Sequence, residues 1–542
     1  MLRLFCPVRR VMAMVLLAVL GCLATACPAA GAVNVIPAPV SIEPGEGTFV
    51  LTPETRIVAQ GPSWIEASKL IDALAPATGF VLYGAVSRPE EGKAIELKLD
   101  GGADALGDEG YTLTVARERI TVVARKSAGL FYGIQTLRQL MPPAVFSDVA
   151  VPDVDWKVPC VKITDTPRFR WRGLLLDPAR HFISLRNVKR FIDTMAIHKF
   201  NRLQIHLTDN EGWRIEIKKY PKLTELGSKM DWNLRHKGGN GPRCFGFYTQ
   251  EDIREIVRYA ADRHITVVPE IEMPFHTGAA IVVYPEIGIN PGPLGALPLE
   301  QRWFKTKGLI APRSETVAFL QDVLTEVIEL FPSQAIHIGG DEANIGHWTN
   351  DPEMQAQIKR LQLEDAHGLH SWFIKEMDTF LTEHGRRLVG WDEILQGGLA
   401  PGATVMSWRG QQGGIAAANA GHDVVMAPTS HTYFDYYQGS PEIEPLAIGG
   451  NLPLAKVYSY DPIPAAIAPE KAKHVLGVQG QLWGEYIPTP EHLDYMAYPR
   501  AAALAEVAWS AKEAKDYEQF LGRLRRHLDR FDVMGVTFRP LD

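Results

Sequence analysis

Cysteine is scarce where it would matter. Of five cysteines in 542 residues, Cys6, Cys22 and Cys27 lie in the first 32, leaving Cys160 and Cys244 downstream. Two cannot make a disulfide scaffold, and no metal-ligand spacing surrounds them. A run of one charge sign is also missing: 56 basic and 63 acidic residues are interspersed, for a net charge of −7. That excludes nucleic acid as the expected partner and favours a neutral or small substrate. No G-x-G-x-x-G opens the first helix of the main domain, which counts against a dinucleotide-binding sheet. The apolar run 11–20 is too short to span a bilayer comfortably, and no internal repeat or low-complexity segment occurs.

What is present begins with that run. Arg9 and Arg10 precede it and Ala30-Gly31-Ala32 follows, the layout of a signal peptide over 1–32. The expectation is an exported protein, periplasmic or extracellular. Val19-Leu20-Gly21-Cys22 and Ala24-Thr25-Ala26-Cys27 loosely resemble lipidation boxes, so an outer-membrane lipoprotein with a lipid anchor stays open. Oligomeric state is not set by the sequence. Apolar residues at 46% and charged residues at 22% describe an ordinary globular chain with a large core.

Residues 33–160 read as a small α/β domain. Alternation predicts strands at 94–99, 111–115 and 120–124, and helical spacing predicts helices at 65–74 and 128–140. Gly129 and Gly133 thin the second helix. From 161 to 542 the rhythm becomes strand, loop, helix. Strands are expected at 171–176, 202–207, 265–271, 335–340, 387–391, 404–408, 422–427 and 475–481, and a terminal amphipathic helix at 512–531 that packs across them. Eight such units predict a (β/α)8 barrel preceded by the small α/β domain.

Polar residues gather where these strands end. The fourth closes on His337-Ile338-Gly339-Gly340-Asp341-Glu342. Two glycines permit close approach, and adjacent acids repel unless something uses them. The other ends carry Asp177 and Arg180; Asp209-Asn210-Glu211; Glu270-Ile271-Glu272 with Phe275-His276; Trp391-Asp392-Glu393; Trp408; Tyr433 and Asp435; and Trp483 with Glu485. Each has a bland alternative. Arg180 can pair with Asp177, Asp209 with His276, and a single Trp is usually core. Three tryptophans at separate strand ends read better as walls for a sugar ring.

In this order the motifs resemble glycoside hydrolase family 20, the β-N-acetylhexosaminidases, across essentially the whole chain after the signal. The resemblance implies exo-acting removal of terminal N-acetyl-β-D-hexosamine from oligosaccharides or glycoconjugates, with retention and no metal or other cofactor. It implies that the substrate's 2-acetamido oxygen attacks C1 to form an oxazolinium intermediate. Asp341 would orient the acetamido N–H, and Glu342 would serve as acid and then base. Asp209 and His276 would form a dyad beside Glu342. Trp391, Trp408 and Trp483 would wall the acetamido pocket and Tyr433 would meet the acetamido oxygen. Arg180, Asp435 and Glu485 would hold sugar hydroxyls. Strand alternation predicts that Asp341 and Glu342 diverge to opposite faces. A like charge and partial burial predict a raised pKa for Glu342.

The chain departs from the family pattern at Phe275, where Gly is usual, at Glu272 for Asp, at Asn210-Glu211, and at Ile345 and His347. Phe275 can face the site or the barrel wall. Two rival classes are a glycan-binding barrel without turnover, which should lack one of the acids, and a barrel holding a divalent metal through its carboxylates. The second leaves the three tryptophans unexplained.

Overall fold

The computed structural model describes residues 33–87, 92–229 and 245–541. The signal and lipidation expectations and Cys244 lie outside these residues; Cys160 is a buried free thiol. The first seven strands are β1 (Ser41–Val50), β2 (Arg56–Ala59), β3 (Tyr83–Ala85), β4 (Ala94–Leu99), β5 (Tyr111–Val115), β6 (Arg119–Ala124) and β7 (Lys157–Asp165). They make one mixed sheet in the order β1-β7-β5-β6-β4-β2-β3. Helices α1 (Trp64–Thr78) and α2 (Ser127–Leu140) pack on it. Alternation explains β5 and β6, whose Tyr111, Leu113, Ile120 and Val122 are fully buried. The glycines of α2 are what let it seat there: a Cβ at Gly129 would lie 2.2 Å from the Gly110 carbonyl oxygen, and one at Gly133 would lie 2.5 Å from Val122. The boundary expected at 160 falls inside β7, which pairs with β1 and β5 up to Asp165. Residues 161–165 therefore belong to the small sheet.

The next eight strands are β8 (Trp171–Leu176), β9 (Arg202–His206), β10 (Thr266–Met273), β11 (Ala335–Gly339), β12 (Arg387–Trp391), β13 (Thr404–Ser407), β14 (Val424–Met426) and β15 (Val475–Leu482). Every neighbouring pair is parallel, and β15 closes the barrel against β8. Each overlaps a strand predicted from the sequence. Helix α3 (Leu185–Ile197) begins at Ser184, whose side chain accepts from the Asn187 N–H. Helix Gln250–Ala261 begins with a capping box between Thr249 and Asp252.

The terminal helix Tyr517–Met534 does not simply cross the barrel. It packs on Pro143–Phe146 of the small domain. Arg530 donates to the carbonyls of Asn34 and Gln139, while His527 meets His198 at the end of α3, 2.9 Å apart. The helix thus closes the seam between the domains. A second seam contact is polar, and the side chains of Asp165, Lys199, Tyr111 and Trp509 in it are fully buried. Asp165 on β7 accepts from Lys199 at 2.8 Å, Tyr111 at 2.6 Å, Trp509 at 2.8 Å and the Val40 N–H at 3.1 Å. No described helix is long and apolar enough to cross a membrane.

Candidate active site

The C-terminal ends of the barrel strands surround a cavity of about 200 Å³. Arg180, Asp209, His276, Asp341, Glu342, Trp391, Trp408, Tyr433, Asp435, Trp483 and Glu485 all line it. The lining also includes His206, Glu272, Thr429, Tyr436 and Ile448.

The central turn is built by glycine. Strand β11 stops at Gly339, and Gly339 and Gly340 both adopt left-handed φ angles, +72° and +93°. A Cβ at Gly339 would lie 1.8 Å from Glu272 Oε2, and one at Gly340 would lie 2.8 Å from Ile394. Only glycine fits at 339, on conformation and on space. Because the strand has already ended, its alternation no longer governs Asp341 and Glu342. Their side chains do not diverge as alternation predicts. His276 Nε2 reaches Asp341 Oδ2 at 3.6 Å and Glu342 Oε2 at 3.3 Å.

His276 is held from behind by Asp209 through Nδ1 at 3.1 Å. Burial opposes a charge on this ring, but Asp209, Glu342 and Asp341 outweigh it and hold the pKa well above the usual histidine range. The hydrogen bond from His276 depresses the carboxyl of Glu342, whose side chain is 53% exposed. The direction expected from its acidic neighbour is therefore reversed: a protonated imidazole is the nearer and stronger influence. Burial instead raises Asp341, with the His276 charge opposing.

On another side Arg180 gathers four carboxylates: Asp177 at 2.9 Å, Asp209 at 2.7 Å, Glu211 at 3.4 Å and Glu485 at 3.6 Å. The ion pair with Asp177 and the contact with the cavity are both real. Asp177 also accepts from the Gly484 N–H at 2.8 Å, tying the ends of β8 and β15 together. Burial raises Glu485, and burial together with Glu485 raises Asp435 well above the carboxylate range.

The aromatic wall has two pairs. Trp391 and Trp483 are tilted at 5.7 Å, and Trp408 stacks on Tyr433 at 6.3 Å. Trp391 donates its ring N–H to Glu270 at 3.0 Å. Glu270 also accepts from Gln204 at 2.8 Å, and its carboxylate lies 2.8 Å from His206 and 3.1 Å from His337. Glu270 and His337 stand in the strand-end motifs read from the sequence, but their pairing comes from the register of β10 against β11, and Gln204 inside β9 carries no motif of its own. Tyr436 closes the motif that follows β14, whereas Thr429, at the start of a short helix Thr429–Thr432, and Ile448 belong to no motif. Phe275 does not line the cavity; it is partly buried against the apolar cluster that contains Leu309, Ala311 and Trp348.

Among the described residues, two groups bring ligand-type atoms within 4.8 Å inside each group: His206 with Glu270 and Glu272, and His276 with Asp341 and Glu342. Glu270 is already committed to four partners, so the first group has the character of a hydrogen-bonded floor. Four carboxylate oxygens at the cavity have no hydrogen-bond partner among the described residues: Asp341 Oδ1, Asp435 Oδ1, Glu272 Oε2 and Glu485 Oε2. Buried polar atoms are rarely left so, and a cavity lined by them is shaped for a polyhydroxylated guest.

Comparison with known proteins agrees with this geometry. The sequence signature described as glycosyl hydrolase family 20, catalytic domain, matches residues 169–512, and the signature of the family's domain 2 matches 32–166. A β-hexosaminidase of Porphyromonas gingivalis is 43% identical over 518 residues, which is 93% of this chain and 64% of that protein's length. The solved structure of the family 20 β-N-acetylhexosaminidase from Streptomyces coelicolor superposes with a TM-score of 0.81 at 35% identity, covering 94% of this chain and 98% of that one. A mutant Streptomyces plicatus β-hexosaminidase, solved with its product GlcNAc, gives the same TM-score and identity over 94% and 97%. With both domains matched and the barrel-end cavity assembled from the expected residues, the chain belongs to glycosyl hydrolase family 20.

Proposed function

We propose that this protein is an exo-acting β-N-acetylhexosaminidase that removes terminal N-acetyl-β-D-hexosamine from glycans with retention, using the substrate's own acetamido group as nucleophile. The observation that carries the reading is the turn Gly339-Gly340-Asp341-Glu342, which brings two acids to one histidine at the edge of an aromatic-walled cavity. Asp341 is suited to orient the acetamido N–H and to stabilise the positive oxazolinium. Glu342 is suited to protonate the leaving oxygen and then to deprotonate water. Without a sugar, the raised pKa of His276 and the lowered pKa of Glu342 favour the proton on the ring. A sugar that covers half-exposed Glu342 removes its water, raises its pKa and moves that proton onto the carboxyl, where it is needed. Arg180, Asp435 and Glu485 support recognition of sugar hydroxyls, consistent with an exo-acting pocket.

The test replaces the acetamido group by hydroxyl. A plain aryl β-glucoside should show no measurable turnover under conditions where the N-acetyl-β-glucosaminide is hydrolysed, and a thiazoline that mimics the intermediate should inhibit strongly. Efficient β-glucosidase activity would mean a protein nucleophile and overturn the reading.

A further inference from the structure

Strand β12 ends on Trp391, and the two residues after it are acids that the proposed reaction leaves unused. Both are buried, Asp392 at 2% exposure and Glu393 at 7%. Asp392 accepts from the Trp408 N–H at 3.2 Å, the Arg409 N–H at 3.3 Å, Arg409 Nε at 2.6 Å and Ser407 Oγ at 3.3 Å. It therefore fixes the main chain as it leaves β13. Glu393 acts on the side chain instead: its Oε2 accepts from Trp408 Nε1 at 3.0 Å, and its Oε1 lies 3.4 Å from Arg409 Nε. One acid pins the backbone of Trp408, and the next pins its ring.

The ring needs pinning. Trp408 is partly buried at the edge of the cluster formed by Trp391, Tyr433 and Trp483, with one stacking partner, Tyr433, at 6.3 Å, so a hydrogen bond to its ring adds a constraint that apolar contact does not supply. The indole N–H is a donor and nothing else. Committed to Glu393, it has no hydrogen bond left for a substrate, and Trp408 meets the cavity through apolar ring atoms. A carboxylate buried for this purpose is costly, and burial above all pushes Glu393 up to about 7. A leucine or alanine there would avoid that cost and lose the acceptor.

Resting on the reading of this cavity as an N-acetyl sugar site, we propose that Glu393 is a positioning residue for sugar binding, holding the indole of Trp408 as a fixed wall through its ring N–H while touching no substrate atom itself. Removing the acceptor should therefore weaken binding before it slows chemistry. A glutamine, which keeps an oxygen at the same reach, should restore it.

The experiment measures kcat and KM on an aryl N-acetyl-β-glucosaminide for Glu393→Ala, Glu393→Gln and Trp408→Ala, with thermal unfolding and tryptophan fluorescence on titration with N-acetylglucosamine. For Glu393→Ala, KM should rise about three- to tenfold, the range of one lost hydrogen bond, with kcat within about twofold. Glu393→Gln should stay within about twofold of wild type in both. The fluorescence change on binding should be present in wild type and Glu393→Gln, diminished in Glu393→Ala and lost in the part that Trp408→Ala removes. Wild-type KM and an undiminished fluorescence response in Glu393→Ala would overturn the proposal. So would an equal rise in KM with equal losses of kcat and unfolding temperature in both Glu393 variants, which would mark a merely structural acid. If Trp408→Ala itself left KM unchanged, the sugar-site reading would fall, and the assignment of Glu393 with it.

Discussion

Two buried polar networks in this chain are made of the same residue types and end in opposite conditions. At the seam between the domains, the carboxylate of Asp165 is filled by four donors, and Lys199 beside it is fully buried, with aromatic rings of Tyr111 and Trp509 on its flanks. At the barrel mouth, Asp341, Glu272, Asp435 and Glu485 each keep an oxygen without a partner among the described residues. One network is complete and the other is open. A complete network specifies how two layers meet, and breaking it costs stability. An open one has paid for burial without being satisfied, and it awaits hydrogen bonds from a guest. Burial and acidity are common to both; satisfaction separates structure from function here.

The largest expected effect sharpens the open side. Glu342→Gln should lower kcat by about 10²–10⁴-fold on substrates with poor leaving groups, and less on an activated aryl glycoside, which needs less protonation. The unfolding temperature should hold, because the side chain is half-exposed. An equal loss of the bond-cleaving step on both substrate types would sink the acid role.

Lys199→Met should do the reverse. It leaves the carboxylate of Asp165 buried without its cation, a loss of about 3–5 kcal/mol in unfolding free energy. KM and kcat of the folded fraction should stay at wild-type values. A large change in KM with little change in stability would show that the seam network reaches the site, and the contrast would break.

How much of this was legible in the sequence depended on what sort of pattern each part makes. The barrel strands were legible because they are short apolar runs at repeated intervals; Trp171–Leu176 is buried along its whole length. Strand β1 was not, since Ser41–Val50 carries two glutamates, a proline and two glycines and is mostly exposed. Its place is fixed by pairing with β7, a contact across more than a hundred residues. The cavity lining was legible from motifs at strand ends. The convergence of Asp341 and Glu342 was not, because it depends on two left-handed glycines that end the strand early. The lowered pKa of Glu342 was not either, because it comes from His276, brought there by another strand. Glu272 was visible only as an oddity of the motif; its burial against Gly339 is a fact of three dimensions.

A smaller effect concerns Phe275, which sits next to the open network yet belongs to neither. It is partly buried and packs against the apolar cluster that contains Leu309, Ala311 and Trp348. Phe275→Gly should cost about 2 kcal/mol, below the range for a fully buried phenylalanine. Relative kcat/KM across aryl glycosides and oligosaccharides should not shift. A selective gain for bulky oligosaccharides at unchanged stability would show that the ring restricts the cavity.

The smallest difference expected lies in Glu272, and it turns on pH. Burial, then the charges of Asp341 and Glu270, hold its carboxyl well above the ordinary range, so the folded protein keeps a proton that the unfolded chain has released. Between those two pKa values the native state binds more protons than the unfolded state. Stability therefore falls as pH rises from about 4.5, and the contribution is fully present only below that. Glu272→Gln keeps the shape and is neutral at every pH, so it lacks this slope. Its unfolding temperature should match wild type in acid and exceed it by a margin that widens as pH rises above about 4.5. The same isosteric change in the complete network, Asp165→Asn, should instead destabilise at neutral pH, because there the charge is matched by Lys199. A margin for Glu272→Gln that stays flat with pH would mean that Glu272 is ionised in the native state, and that the open network holds one more charge than its geometry suggests.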